Sequence, residues 1–231
     1  MPLQVVALRR YPVKAMGGES LDLAQVDERG LLGDRWFAVV DADGRFATGK
    51  SSRRFRRHDE IFDYAAVTTL TGGVVVRYAD QAWPVGDPAL DAHLSERFGE
   101  PVRVLAEAGV PHYDAAPVSI VGTATLDWLA SHTEQPADAR RLRANVVVST
   151  DEPFVEETWV GTRLAVGGVR LRVTERVERC RMVDLDQDGA RAEAPWLTLL
   201  GAERELCAAV YAEVVTPGLL RVGQACSDIG P

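Results

Sequence analysis

The segment RLRANVVVSTDEPFVEETWVGTRLAVGGVRLRVTERVERCRMVDLDQD, residues 141–188, contains a change of hydrophobic phase next to a cysteine. From Val169 to Val177 the apolar residues occupy odd positions and are separated by arginine and threonine, a period of two that predicts a half-buried β-strand. Beyond Val177 the phase is inverted, because Cys180 and Met182 occupy even positions. Such an inversion predicts a β-bulge or a strand end, where side chains are redirected.

Cys180 therefore lies at an irregular point of the chain, between Arg179 and Arg181. Adjacent cations favour the thiolate, which is the nucleophilic and metal-binding form of cysteine. A free cysteine can equally pack as a small buried hydrophobe. Spacing by itself leaves both interpretations open.

Five short motifs, three in this segment and two near the amino end, form a pattern that spans most of the chain. They are RANVVV at 143–148, FVEETWVG at 154–161, ERCRM at 178–182 with Asp186 after it, YPVK at 11–14 and GDRW at 33–36. In this order and spacing they resemble the MOSC domain (molybdenum cofactor sulfurase C-terminal domain). The resemblance is to the two-domain branch that includes the mitochondrial amidoxime-reducing component.

The resemblance implies an α+β, mainly β fold. A MOSC-type β-barrel domain with peripheral helices, residues 109–231, would dock on a smaller β-rich N-terminal MOSC domain, residues 1–108. The hydrophobic pattern agrees, since it predicts many short strands and few helices. The predicted strands are 3–8, 34–40, 45–48, 64–70, 74–78, 82–85, 102–105, 119–121 and 143–149. The predicted helices begin after the N-cap Asp87, at the cap Thr123, and at Leu197, the last ending beside a buried Cys207.

The cofactor that the resemblance implies is molybdopterin, in which a pyranopterin dithiolene with a phosphate holds molybdenum. Cys180 would be the catalytic residue and the metal ligand, since soft metals select thiolates. The resemblance places four residues at the phosphate and the pterin: Lys14, Arg35, Arg143 and Asn145. Four further candidates for cofactor binding are Arg141, Thr48, Lys50 and Thr123. Guanidinium groups suit bidentate phosphate contacts, although the same arginines could form a solvated strand edge.

The implied activity is that of a molybdenum-dependent oxidoreductase, which reduces a small N-hydroxylated substrate by two electrons. The sequence contains neither a cysteine cluster for an iron–sulfur centre nor a Rossmann glycine fingerprint. Electrons would therefore come from a separate electron-donor protein. The alternative is a sulfur- or molybdenum-cofactor-carrier module without reductase activity, in which Cys180 holds a persulfide or hands over cofactor.

The charge is unevenly distributed over the 231 residues, whose net charge is -8. Residues 1–57 contain 11 Lys and Arg against 7 Asp and Glu, so that this part carries +4 and the remainder -12. This distribution predicts a local pocket for a small anion and argues against a nucleic-acid partner. Both lysines of the chain, Lys14 and Lys50, lie in the basic part.

Two motifs imitate known binding loops. Residues 44–51, GRFATGKS, match the P-loop pattern, but Asp41-Ala42-Asp43-Gly44 predicts a hairpin turn where a P-loop requires a buried strand. A nucleotide-binding P-loop is therefore a third, weaker alternative for the function. Residues 184–189 imitate the start of an EF-hand, but Pro195 stands where that loop requires glutamate, which favours a tight acidic turn.

The three cysteines form no CxxC pair, the start of the chain does not resemble a signal peptide, and no apolar run reaches 18 residues. These features predict a cytoplasmic protein with no membrane partner.

Overall fold

The computed structural model describes residues 3–230, so residues 1, 2 and 231, at the outer ends of the two predicted domains, lie outside the description. Within that range the chain is mainly β with three α-helices, and the predicted fold class is confirmed. The helices are α1 Pro88–Phe98, α2 Thr123–Thr133 and α3 Trp196–Glu203. The strands are β1 Val5–Arg10, β2 Glu19–Leu21, β3 Leu23–Asp27, β4 Gly30–Leu31, β5 Phe37–Asp41, β6 Phe46–Thr48, β7 Phe55–Arg57, β8 Ala65–Thr68, β9 Val74–Tyr78, β10 Gln81–Pro84, β11 Val102–Ala106, β12 Val118–Gly122, β13 Val146–Val148, β14 Arg163–Val166, β15 Val169–Glu178, β16 Cys207–Thr216, β17 Gly218–Arg221 and β18 Cys226–Asp228.

The largest sheet has eight strands in the order β18-β14-β15-β16-β12-β13-β1-β2. β12 and β13 run parallel, and the other neighbouring pairs of this sheet run antiparallel. A bridge between Gln4 and Ala225, with the bond from Val5 N to Gln224 O, joins the chain before β1 to the chain before β18. The alternating apolar residues of β15, such as Val169 and Val173, are buried in the core that this sheet encloses.

Three smaller sheets complete the fold, in the orders β11-β5-β6-β7, β10-β9-β8 and β17-β3-β4. The first two surround a second core with α1, and a third core lies under α2 and α3. The first two strands of the chain, β1 and β2, belong to the large sheet, whose other six strands all come from residues 118–228. The division of the chain at residues 108 and 109 stays a prediction.

The α1 helix forms as its capping signals predict. The Asp87 side chain accepts a hydrogen bond from Ala89 N at 2.9 Å, and Gly99 ends the helix with a φ of 72°. A left-handed φ of this kind favours glycine, which has no Cβ to clash with the preceding turn.

The other two predicted helices need correction. The N-cap of α2 is Gly122, and Thr123 is the first helical residue rather than the cap. Cys207 does not follow a helix directly, because α3 ends at Glu203 and Cys207 opens β16. The turn between them contains Leu206 with a φ of 65°, a conformation that local patterns of hydrophobicity do not indicate.

Two predicted strands also begin later than expected. β5 begins at Phe37, because Arg35 has a φ of 52°, and β13 begins at Val146, because Arg143 has a φ of 51°. Positive φ is uncommon for residues other than glycine and interrupts an extended strand. Neither arginine is therefore part of a strand.

The stretch that imitates a P-loop forms a turn between strands. Gly44 N donates to Asp41 O and Asp41 N donates to Arg45 O, which closes the predicted hairpin turn. After Lys50 the chain continues into β7, where a P-loop would open a helix.

The acidic segment that imitates an EF-hand is a tight turn, with Gln187 bridged to Ala190. The Asp188 carboxylate accepts hydrogen bonds from Arg9 and from Gly18 N. Over residues 3–230 no group of three or more His, Cys, Asp or Glu side chains is arranged to hold a metal ion. In the same range, no helix combines the length and the hydrophobicity needed to cross a membrane.

Candidate functional site

A cavity of about 480 Å³ lies where the large sheet meets the amino-terminal strands, and it is the candidate functional site. Its volume is within the range of small-molecule and cofactor sites. Three parts of the chain contribute to it: residues before 60, the segment after β11, and residues after 118. The lining residues are Lys14, Ala15, Arg35, Thr48, Lys50, Asp114, Ala115, Ser119, Arg141, Leu142, Arg143, Glu175, Arg176, Val177, Glu178, Arg179, Cys180, Met182, Val183, Cys207 and Tyr211.

The lining is strongly basic for so acidic a protein. Seven of the lining side chains are Lys or Arg and three are Asp or Glu, a net charge of +4 in a chain of -8. Walls of low dielectric strengthen the field of such a cluster and attract small anions. The sequence located part of this charge in residues 1–57, but four of the seven cations come from residues beyond 140.

Cys180 reaches the cavity because β15 ends irregularly. The pairing of β15 with β16 shifts register near Arg176, and the strand stops at Glu178. Cys180 follows in extended backbone and precedes a 3₁₀ turn at Arg181–Asp184. The inversion of hydrophobic phase therefore marks a strand end, as predicted, and it turns Cys180 toward the cavity wall.

The two arginines beside Cys180 are held by other groups. Arg179 donates through Nε to Ala208 O and through Nη1 to Leu142 O, both at 2.8 Å. Arg181 donates to Gly49 O and to the Asp59 carboxylate. Arg179 Nη2 is buried and has no hydrogen-bond partner among residues 3–230. Sequence adjacency to Cys180 is therefore a poor guide to what these guanidinium groups contact.

Arg143 is a buried cation whose hydrogen-bond partners among the described residues are all uncharged. Its side chain donates to Met16 O at 2.7 Å and to Gln187 Oε1 at 3.4 Å, and its guanidinium carbon lies 4.2 Å from the centre of the Tyr11 ring. None of the residues from 3 to 230 places a carboxylate within 4 Å of it. Desolvation by burial lowers the pKa of Arg143 to about 10. Burying a guanidinium charge with no carboxylate beside it costs free energy, and a bound anion would offset that cost.

Arg35 and Asn145 form a network behind Arg143. Arg35 pairs with Asp34 and donates through Nη2 to Arg143 O at 3.2 Å. Asn145 Oδ1 accepts from Arg35 Nη1 and from Ser119, while its Nδ2 donates to Arg9 O. The Asn145 side chain is therefore engaged within the protein and orients Arg35, whereas the resemblance placed it at the pterin.

Lys14 is anchored to the segment that follows β11. Its Nζ donates to His112 O at 2.6 Å and to Asp114 Oδ1 at 2.7 Å. Desolvation lowers the pKa of Lys14 to about 8, and the Asp114 interaction only partly opposes this. Arg54 fastens the same segment through Pro111 O and Tyr113 O.

The remaining predicted residues divide into three that line the cavity and one that does not. Thr48 and Lys50 lie on one wall, with Lys50 Nζ 4.6 Å from the centre of the Phe55 ring. Arg141 also lines the cavity, but its donors are directed to Val183 O and Ala194 O, and it stacks on Trp196. Thr123 is not part of the lining, and its hydroxyl is bonded to the backbone of Thr150.

The lining residues that sequence reasoning missed include Asp114, Arg179, Cys207 and Tyr211. Arg179 could have been found, since it precedes the cysteine in the ERCRM motif. Cys207 and Tyr211 reach the cavity because β16 pairs with β15, with Cys207 opposite Glu178. This pairing joins segments that are separated by the α3 helix and its flanking turns, and it leaves no periodic signal in the sequence.

Two family models match this chain. The MOSC domain matches residues 91–227, and the MOSC N-terminal beta barrel domain matches residues 3–83. Mitochondrial amidoxime reducing component 2 from Bos taurus is 24% identical over 220 residues, which cover 77% of this chain and 65% of that protein. Molybdenum cofactor sulfurase from Drosophila melanogaster is 26% identical over 226 residues, which cover 82% of this chain and 29% of that protein. The chain thus spans under two thirds of each relative.

The fold is also similar to a solved structure, the YUAD protein from Bacillus subtilis. The two share 13% sequence identity with a TM-score of 0.51, over 98% of this chain and 94% of the other. At this identity the similarity concerns the fold alone.

Proposed function

Since the chain belongs to the MOSC family, we propose that the cavity binds the molybdenum cofactor and that the protein reduces N-hydroxylated substrates. Cys180 is the proposed metal ligand and catalytic residue. Arg143, Arg35 and Lys50 are the proposed phosphate and pterin contacts. The names of the relatives, an amidoxime reducing component and a molybdenum cofactor sulfurase, support the choice of cofactor.

The observation that carries the proposal is two guanidinium groups without a carboxylate partner in the described part of the chain, those of buried Arg143 and half-buried Arg179. Within residues 3–230, Arg143 and Arg179 are bonded to carbonyl and amide oxygens only, and Arg179 Nη2 is bonded to nothing. Burying a charge without a partner is costly, and an anionic ligand would remove that cost. A phosphate offers several acceptor oxygens to such a pair, and a thiolate-binding metal fits Cys180 in the same cavity.

When bound, the molybdenum cofactor supplies the two-electron redox chemistry. The residues of this chain bind and orient it: Cys180 would fix the metal at the end of β15, and Arg143 would hold the phosphate. Arg35, oriented by Asn145 and Asp34, would support Arg143 through the Arg143 carbonyl. In the overall reaction the N–O bond of the substrate breaks, two electrons and two protons are taken up, and the oxygen leaves as water. The electrons would come from a separate donor protein.

A second candidate function is supported by the two thiols of the cavity. Both line it: Cys180 follows the end of β15, and Cys207 opens the neighbouring strand β16, with Arg179 also in the lining. Paired thiols beside a cation suit sulfur handling, because the cation stabilises a thiolate or persulfide anion. In this case the protein would be a sulfur- or molybdenum-cofactor carrier without reductase activity.

The experiment that tests the proposal is a metal and sulfur analysis of the purified full-length chain. Molybdenum is measured by mass spectrometry alongside cyanide-labile sulfur and N-hydroxylated-substrate reduction with an artificial electron donor. About one molybdenum per chain with turnover supports the reductase, whereas labile sulfur without molybdenum supports the carrier. Absence of both molybdenum and labile sulfur would contradict the two proposals together.

The decisive variant is Cys180→Ser, which we expect to lose molybdenum and turnover while keeping the melting temperature. The matched control is Cys226→Ser, because Cys226 packs against the core of the large sheet and does not line the cavity. Cys207→Ser separates the two functions, since the carrier needs the second thiol and the reductase does not. Normal molybdenum content and turnover in Cys180→Ser would show that the thiolate-ligand role is wrong.

A further inference from the structure

The segment that carries Cys180 is tied to the opposite side of the cavity by one side chain, Arg181. Its Nη1 donates to Gly49 O at 2.6 Å and to Asp59 Oδ1 at 2.6 Å, and its Nη2 donates to Asp59 Oδ2 at 3.1 Å. Gly49 lies between Thr48 and Lys50, which both line the cavity. Arg181 therefore connects the Cys180 segment, residues 180–185, to the Gly49 turn, residues 48–50.

Apolar packing reinforces the same connection. Met182 and Leu185, from the Cys180 segment, pack against the amino-terminal core that contains Phe62. A Cβ built on Gly49 would lie 3.0 Å from Leu185 Cδ1, from Met182 Cγ and from Phe62 Cε2. The glycine of the P-loop-like motif thus has a packing role, because a larger residue would push the two sides of the cavity apart.

The geometry of the Arg181 pair makes it stronger than an ordinary surface ion pair. Its bond to Asp59 is bidentate, and the bond to a buried carbonyl gives a third contact. The hydrogen bonds from Arg181 are the largest contribution to the lowered pKa of Asp59, about 2, so the carboxylate stays charged at neutral pH. Bidentate guanidinium–carboxylate pairs also fix orientation, which a single bond does not.

We propose that Arg181 is a latch between the two sides of the cavity, which positions Cys180 and limits the access of small molecules to its thiol. With the latch closed, the Gly49 turn is fastened directly to the residue that follows Cys180. With the latch open, the Cys180 segment is held by its packing and by contacts with its own side, such as that of Arg141 with Val183 O. If the cavity holds the cofactor, then opening of the latch is the step that admits it, and only this last clause rests on the proposed function.

The test is the rate at which iodoacetamide alkylates each thiol of the full-length chain, produced in cells that cannot make molybdenum cofactor. Mass spectrometry resolves Cys180, Cys207 and Cys226 individually. We expect Arg181→Ala to raise the alkylation rate of Cys180 about three- to tenfold, and Arg181→Lys to raise it less. Arg181 donates its hydrogen bonds to Gly49 O and to the Asp59 carboxylate, so a faster reaction in Arg181→Ala reports access to the thiol.

The matched control is Arg57→Ala, because Arg57 binds the same Asp59 carboxylate without touching Gly49 or the Cys180 segment. We expect its Cys180 rate to stay within about twofold of the parent chain. Gly49→Ala should raise the rate without changing any charge, whereas Gly168→Ala, where a Cβ meets nothing within 4 Å, should not.

Two results would overturn the latch. The first is a Cys180 rate in Arg181→Ala that is equal to or below that of the parent chain. The second is a parallel increase at Cys207 and Cys226, which would mean general loosening of the fold. If the proposed cofactor is wrong, the parent chain produced in cells that do make molybdenum cofactor will lack molybdenum, and the alkylation result will be unchanged.

Discussion

Two cations on each wall of the cavity differ in how their charge is compensated, whereas Arg141 and Arg176, also on the second wall, are paired with Asp184 and Glu205. On the first wall, formed by residues before 60, Lys14 is bonded to Asp114 and Arg35 is paired with Asp34. On the second wall, formed by residues after 140, Arg143 and Arg179 are bonded to carbonyl and amide oxygens, and residues 3–230 provide no carboxylate within 4 Å of either. Cations that are paired with carboxylates can stabilise the fold without a ligand. Cations without a carboxylate partner are stabilised when an anion binds.

The largest effect that this comparison predicts is on ligand retention by the second wall. Arg143→Ala should copurify with about ten to a hundred times less molybdopterin, because a charge-assisted contact to phosphate contributes about 1.5–3 kcal/mol. The melting temperature should change little, since the substitution also removes the cost of burying an unpaired charge. The measurement is molybdopterin per chain by fluorescence of its oxidised form.

Arg56→Ala is the matched control for Arg143→Ala, because Arg56 is exposed and is paired with Glu100 on the surface. We expect it to retain the full amount of molybdopterin. If Arg143→Ala also retained the full amount of molybdopterin with an unchanged melting temperature, Arg143 would not bind the anion. The proposed difference between the two walls would then be wrong.

The next effect concerns the first wall and its dependence on pH. The pKa of Lys14 is lowered to about 8 from 10.5, so between these values the unfolded chain binds more protons than the folded one. Stability therefore rises with pH across this window, because deprotonation relieves the cost of burying the ammonium group. Below about pH 8 that cost is fully present.

Lys14→Met should abolish this rise, which we expect to be on the order of 2–3 kcal/mol between pH 8 and pH 10.5 in the parent chain. Urea unfolding at several pH values measures it. Equal pH profiles for the parent chain and Lys14→Met would mean that the Lys14 ammonium group is not desolvated. The first wall would then be more exposed to solvent around Lys14 than its hydrogen bonds indicate.

The sequence predicted elements whose signals are local. The α1 helix follows from Asp87, the apolar residues of the helix and Gly99, and the strand end before Cys180 follows from an inversion of phase over a few residues. These patterns depend on neighbours along the chain, which a sequence displays directly.

The parts that sequence could not supply depend on pairing between distant segments. Cys207 reaches the cavity through the pairing of β16 with β15, and Asp114 reaches Lys14 across 100 residues. The hydrogen bonds of Asn145 and Arg141 are also long-range, so their engagement within the protein was not visible from the motifs. The motifs named Asn145 and Arg141 as cofactor-binding candidates, but a motif does not show which donors are already bonded within the protein.

The smallest expected effect concerns Tyr11, whose ring lies beside Arg143 at a place where no carboxylate of residues 3–230 balances the charge. The Tyr11 ring is fully buried, and the guanidinium groups of Arg143 and Arg35 lie 4.2 Å and 5.1 Å from its centre. Its hydroxyl has no hydrogen-bond partner within residues 3–230, and burial raises its pKa to about 12. The ring face, rather than the hydroxyl, therefore stabilises the two cations.

Tyr11→Phe should accordingly change the free energy of unfolding by less than about 1 kcal/mol and leave molybdopterin retention intact, since it removes only an unpaired hydroxyl. Tyr11→Leu keeps an apolar side chain but removes the ring, so it should lower retention several-fold through misplacement of Arg143 and Arg35. Urea unfolding and molybdopterin content of the two variants measure the difference. A large loss in Tyr11→Phe would show that the hydroxyl contacts the ligand, and the anion would then be held by Tyr11 as well as by the arginines of the second wall.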